Sequence, residues 1–179
     1  DGTTLSIFKQ NGWSVTGIDP SPVCSQLALK NYNINTFTGF FENFKIEKKF
    51  VLFVLTHVLE HLYFPRDTLQ KIYDNILDDG YLFIEIPCLE NEEQFPNSYF
   101  SFEHLQHFSE KLIIDLLNDV GFEILSTRHF FHEYPIISLL CKKTINKKKL
   151  ILDSSEFKKN HSIVLRHIDK EKQTWKKIY

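Results

Sequence analysis

The apolar run Phe50–Leu55 passes without a turn signal into Thr56-His57-Val58-Leu59-Glu60-His61. A short run of aromatic, β-branched and Leu residues reads as a strand buried on both faces, as in parallel sheets. Such a strand needs helices to cover it, which limits the chain to an α/β architecture. Its carboxyl end then delivers four polar side chains at the place where open α/β sheets bind ligands.

The flanking segments alternate in the same sense. Thr3–Asn11 reads as a helix closed by Gly12, followed by a strand from Trp13 to Ile18 that ends in Asp19-Pro20-Ser21. Ser21 suits the N-cap of a helix with Pro22 in its first turn, running to about Asn31. A short strand near Ile34–Thr38 and a loop at Gly39–Lys49 precede Phe50. Past Pro65, the spacing of Leu69, Ile72, Tyr73, Ile76 and Leu77 predicts one apolar helix face, stopped by Asp79-Gly80 before a strand at Tyr81–Ile86. Ser109 predicts the cap of a helix over Glu110–Val120 with Gly121 as its stop. Phe122–Thr127 and Ile136–Cys141 are two strands without a helix between them, the mark of an antiparallel pair.

These segments describe a doubly wound α/β domain over residues 1–150, its mostly parallel sheet closed by an antiparallel pair. Because the chain opens on Asp1-Gly2 at a helix start, the first strand of that sheet is expected to lie outside it, and the piece alone to fold poorly. After Asn146-Lys147-Lys148-Lys149, residues 151–179 read as a basic amphipathic helix with Asp153-Ser154-Ser155-Glu156 as capping box. Phe157, Val164, Ile168, Trp175 and Ile178 make its stripe, and a linker to an absent domain is its favoured role.

Composition excludes several function classes. The net charge is −2, without the basic stripe that phosphate backbones need, so a nucleic-acid partner is not expected. Three isolated Cys (Cys24, Cys88, Cys141) fit neither a disulfide framework nor a CxxC zinc site, and a reducing cytoplasm is the simplest setting. No apolar run has membrane-spanning length and no signal peptide is visible. Nothing in the composition sets the oligomeric state.

Three places carry chemistry. Asp19, at a strand end, can accept hydrogen bonds from both hydroxyls of a ribose, and Gly2 at a helix start lets backbone approach a ligand. His57-Val58-Leu59-Glu60-His61 matches the H-x-x-E-H pattern of one class of zinc peptidase, which requires a helix that the strand before it opposes. In Glu103-His104-Leu105-Gln106-His107-Phe108, His104 with its acidic neighbour Glu103 is the candidate general base, and His107 reads as packing. His129 and His132 are weaker candidates; Glu85 inside a strand needs a partner; and Tyr99, Phe100 and Phe102 form an aromatic loop over a pocket or the core.

Taken together, Asp1-Gly2-Thr3-Thr4-Leu5, Val15-Thr16-Gly17-Ile18-Asp19-Pro20-Ser21, Leu55–His61, Asp79–Pro87, Glu103–Ser109 and Gly121-Phe122 resemble the class I S-adenosylmethionine-dependent methyltransferases. The resemblance covers residues 1 to about 143. It implies S-adenosylmethionine as cofactor: Asp1 and Gly2 at the tail of the glycine-rich loop, Asp19 on the ribose, Phe40 and Phe41 flanking the adenine, Thr56 and His57 on the sulfonium side, and His61 structural. Within the class, Ser101-Phe102-Glu103-His104 is similar to the Tyr-x-Glu-His stretch that supplies the base in deoxysugar C-methyltransferases, with Ser101 at the Tyr position. The expected acceptor is a small molecule, with a nucleotide-linked sugar or other cell-surface polysaccharide precursor favoured, and no metal is expected. The competing readings are a zinc hydrolase on His57, Glu60 and His61, a cofactor-binding module without catalysis, and a nicotinamide-dependent enzyme using Asp19.

Overall fold

The computed structural model describes residues 1–96, 99–130, 134–151 and 153–178. The chain forms two compact units, Asp1–Glu47 and Lys48–Tyr179. His132, a weak candidate above, lies outside the described residues.

In the first unit, helix α1 (Thr3–Gln10) leads to strand β1 (Gly17–Asp19), helix α2 (Pro22–Tyr32) and strand β2 (Thr36–Thr38). β1 and β2 pair in parallel, with Gly17 opposite Thr36 and Asp19 opposite Thr38. The strand expected from Trp13 therefore begins only at Gly17. Its only hydrogen-bonded partner among the described residues is three residues long, and Trp13 instead folds back edge-on against Phe8, its N–H donating to the Phe8 carbonyl. Ser21 caps α2 by accepting from the Cys24 N–H, with Pro22 at the first position, as the sequence predicts.

The second unit carries a four-stranded sheet in the order β3 (Phe50–Thr56), β4 (Ile76–Pro87), β6 (Ile136–Lys143), β5 (Phe122–Phe130). β3 and β4 are parallel, joined through helix α3 (Pro65–Asn75); β6 lies antiparallel to both β4 and β5. The fold is thus α/β with a mixed sheet, and the antiparallel pair falls where the missing helix places it. Ile76 and Leu77, expected on the α3 stripe, belong to β4, which starts directly at the helix end. Between Phe50↔Ile76 and Leu52↔Tyr81 the register shifts, and Gly80 makes that irregularity possible. A Cβ there would stand 2.6 Å from Ile76 Cγ1 and 3.0 Å from the Val51 carbonyl oxygen. Asp79-Gly80 therefore marks a bulge inside a strand rather than a helix stop.

Helix α4 (Glu110–Val120) is capped by Ser109 and ended by Gly121 at φ 116°, as predicted. Helix α5 (Ser154–Ile178), whose start is held by the Asp153 carboxylate accepting from Ser155, packs within the second unit. Ser109 donates to Glu156 and accepts from Asn160, while Arg166 forks onto Glu92. These contacts turn Ile163 and His167 inward, so the buried stripe is rotated from the expected one and Phe157 is exposed. Ile163 joins Leu89, Phe95 and Tyr99 in an aromatic core cluster, which settles Tyr99 as core, whereas Phe102 is 90% exposed. The cysteines Cys24, Cys88 and Cys141 are free, and no helix among the described residues is long and apolar enough to cross a membrane.

Candidate active site

β3 ends at Thr56, opposite Glu85 on β4, and the ladder continues one step further through the His57 N–H, which donates to the Glu85 carbonyl at 2.9 Å. His57 then takes a left-handed conformation, φ 52°. That region is uncommon for a side-chain-bearing residue and costs about 1–3 kcal/mol, which surrounding contacts must hold in place. Here the contacts are two carboxylates: His57 Nδ1 lies 3.3 Å from Glu60 Oε1, and Nε2 lies 3.7 Å from Glu85 Oε1. The bend also breaks the helical premise of the H-x-x-E-H reading. Leu59–His61 is a single 3-10 turn, so His57 and His61 do not share an α-helical face.

Glu60 is the centre of this cluster. Its side chain is 1% exposed, with Oε1 facing His57 and, at 3.9 Å, His61 Nε2. Its other oxygen, Oε2, is buried without a hydrogen-bond partner among the described residues. The 3-10 turn is tied to the 103–106 segment from both sides: the Gln106 N–H donates to the Glu60 carbonyl, and His61 Nδ1 lies 2.8 Å from the Glu103 carbonyl oxygen. His104 completes the group, its ring 5.0 Å from that of His61 and its Nδ1 3.5 Å from the Tyr134 hydroxyl.

The electrostatics of the two flanking histidines diverge. The hydrogen bond to Glu60 raises the His57 pKa above its ordinary value, against burial, with the Glu60 and Glu85 charges adding to the rise. Burial pushes His104 down, and neighbouring His61 and His57 push it further, against the pull of the Glu60 carboxylate. One carboxylate thus stands between a histidine biased toward the cation and another biased toward the neutral base.

The expected residues fall as follows. In the second unit Thr56, His57 and His104 lie at one end of the sheet. Glu103, expected to orient His104, contributes its carbonyl to His61, and the charge of its exposed carboxylate pulls the His104 pKa up. His107 packs against Phe100, with ring centroids 4.7 Å apart, and His129 pairs with Glu110 at 3.2 Å. Glu85 has its partner, Ser138, whose hydroxyl donates to Oε2 at 2.8 Å. In the first unit, Asp19 Oδ1 accepts from the Ser21 N–H at 2.8 Å, while Asp1 Oδ1 accepts from the Thr3 N–H at the start of α1. Gly2 sits at φ 86°, where a Cβ would stand 2.7 Å from that of Ala28, so helix packing by itself requires glycine there. Phe40 is exposed and Phe41 half-buried beside it. Glu60 as hub and Tyr134 as neighbour of His104 were not legible beforehand, since each is defined by partners far along the chain.

The solved structures similar to this chain share the fold. The 1,6-didemethyltoxoflavin-N1-methyltransferase of Burkholderia thailandensis, solved with that compound and S-adenosylhomocysteine, is 18% identical with a TM-score of 0.65, covering 80% of this chain and 67% of its own. The N-methyltransferase NodS of Bradyrhizobium japonicum, in complex with S-adenosylhomocysteine, is 14% identical with a TM-score of 0.64, covering 79% and 72%. The [4+2]-cyclase SpnF is 13% identical with a TM-score of 0.64, covering 79% and 70%. The fold therefore hosts more than one reaction, and fold alone does not specify this one. No curated protein matches. A family model described as a methyltransferase domain matches residues 1–127, spanning both units. The chain belongs to the methyltransferase-domain family, whose class I members its sequence motifs resemble.

Proposed function

We propose that this chain transfers the methyl group of S-adenosylmethionine to a small-molecule acceptor, with a nucleotide-linked sugar as the favoured class. The observation that carries the reading is the match to a methyltransferase domain over residues 1–127. The chain's own residues suit the cofactor. Asp19 ends a strand and spends only Oδ1 on its turn, which leaves Oδ2 for a ribose hydroxyl. Phe40 and Phe41 offer aromatic faces for an adenine, and Thr56 and His57 stand at the end of β3 for the sulfonium side. Asp1 and Gly2, at the start of α1, supply the tail of the loop beside the cofactor's methionine part. When bound, S-adenosylmethionine supplies an electrophilic methyl group on a sulfonium.

What remains for the protein is to position the acceptor and remove its proton. His104 is the group for that proton, half-buried at the sheet end and adjoining Tyr134, and Glu60 is the carboxylate that stabilises the imidazolium once formed. The test is calorimetric titration of the full-length protein with S-adenosylhomocysteine. Saturable micromolar binding is expected, about −8 kcal/mol. Absence of heat and of any thermal shift at saturating ligand would remove the methyltransferase reading.

A further inference from the structure

We propose that Glu60, His61 and His104 form a binding site for a divalent first-row transition-metal ion. One donor atom from each lies within 4.8 Å of the other two. Donors at the usual 2.0–2.2 Å from a shared ion stand roughly 3–4 Å apart, a spread that rotation of two part-exposed imidazoles closes. Two independent features point the same way. Glu60 Oε2 is fully enclosed and has no hydrogen-bond partner among the described residues, and a buried carboxylate oxygen in that state needs a positive neighbour. His61 Nδ1 donates to the Glu103 carbonyl, which fixes the tautomer whose Nε2 lone pair faces Glu60 Oε1. A carbonyl on the distal N–H is the contact that orients metal-ligating histidines.

His57 stands apart from this set, although it belongs to the linear H-x-x-E-H pattern. Both its ring nitrogens are engaged by carboxylates, Nδ1 by Glu60 at 3.3 Å and Nε2 by Glu85 at 3.7 Å, which leaves it outside the ligand set. Two imidazole nitrogens and one carboxylate suit Zn2+, Mn2+, Fe2+ or Co2+ better than Mg2+ or Ca2+, which prefer all-oxygen shells. Three protein ligands leave a position open. Resting on the methyl-transfer reading, that position takes an oxygen of the acceptor, which makes the acceptor an oxygen-bearing molecule. A neutral imidazole has one ring lone pair, so His104 accepts the proton where no ion is bound and serves as a ligand where one is. The ion then acidifies the coordinated hydroxyl, whose proton leaves to water.

The test uses the full-length protein, stripped with chelator and titrated with Co2+ by visible absorption and with Zn2+ by calorimetry. One equivalent is expected, with affinity falling at least about tenfold in His61→Gln and in His104→Gln, and changing less than about threefold in His57→Gln. Glu60→Gln, nearly isosteric, provides the carboxylate arm, and thermal melts of each variant establish that it folds. Absence of saturable binding, or binding undiminished in His104→Gln, overturns the site. Loss in His57→Gln with retention in His104→Gln also overturns it, in favour of the linear motif. S-adenosylhomocysteine is titrated into the same samples. Its binding without metal binding removes the metal site alone, whereas metal binding without it supports the site and removes the methyltransferase reading.

Discussion

Two strands of this chain, one in each unit, end in polar side chains, and the two ends are built differently. At the end of β1, Asp19 is satisfied by Ser21 two residues on, inside a turn that Pro20 and Pro22 stiffen. At the end of β3, Glu60 is held by His57 and His61 beside it. Around it stand Gln106 and Glu103 more than 40 residues away, with Ser138 fixing the neighbouring Glu85. The first is a local device that can be altered without disturbing much else. The second is a network, where each member's position depends on several others.

The largest effect that separates them is catalytic. His104→Ala is expected to lower the rate of methyl transfer by about 10²–10⁴-fold, the usual worth of a positioned general base or of an activated acceptor. Binding of S-adenosylhomocysteine should stay within about twofold of the parent, because the change removes transition-state chemistry and not ground-state binding. Single-turnover kinetics alongside calorimetry measure both. A variant that retains its rate would show that the network at β3 is structural.

The same contrast explains what could be read in advance. Asp19, Ser21, Ser109 and Gly121 were legible because caps and turns are written in adjacent residues. The β5–β6 pairing followed from a missing helix, again a local fact. The extension of β4 back to Ile76 was not legible, because a three-four apolar spacing fits the last helical turn equally well. Only the pairing of Phe50 with Ile76 and the crowding around Gly80 decide for strand. Glu60 looked like one residue of a motif, and its burial emerges only when the 103–106 segment closes over the 3-10 turn. The buried stripe of α5 differs from the expected one for the same reason: Ser109, Glu92 and the aromatic cluster set its rotation.

Next in size is Asp19→Ala. Affinity for S-adenosylhomocysteine should fall at least about tenfold, or 1.4 kcal/mol, by calorimetry. The unliganded melting temperature should drop by no more than about 3 °C, since only one turn hydrogen bond is lost. A large fall in stability would mean that this end, too, is networked. Ser138→Ala probes the other end from a distance. It removes the donor to Glu85 Oε2, and because Glu85 is only part-buried the expected loss is about 1 kcal/mol, or roughly 2–4 °C in melting temperature. If Glu85 relaxes, His57 loses its second carboxylate, and the rate should fall more than stability alone explains.

The smallest effect tests a long-range link that lies outside the site. Asp119, on α4, accepts from the Leu150 N–H and pairs with Arg66 on α3, with Arg66 Nη2 2.8 Å from Oδ2. The backbone bond from Leu150, followed by the Arg66 bond and its charge, holds the Asp119 carboxyl below its ordinary value. A carboxylate depressed in the folded state adds stability that is present above its unfolded pKa and is lost as pH falls through the folded one. Arg66 is half-exposed, so Arg66→Ala should cost only about 0.2–1 kcal/mol at neutral pH. That gap should close in acid, below the normal aspartate range, when the folded carboxyl takes its proton. Urea melts of both proteins from pH 7 downward measure it. A gap that persisted in acid would assign the contribution of Arg66 to its aliphatic packing and not to the ion pair.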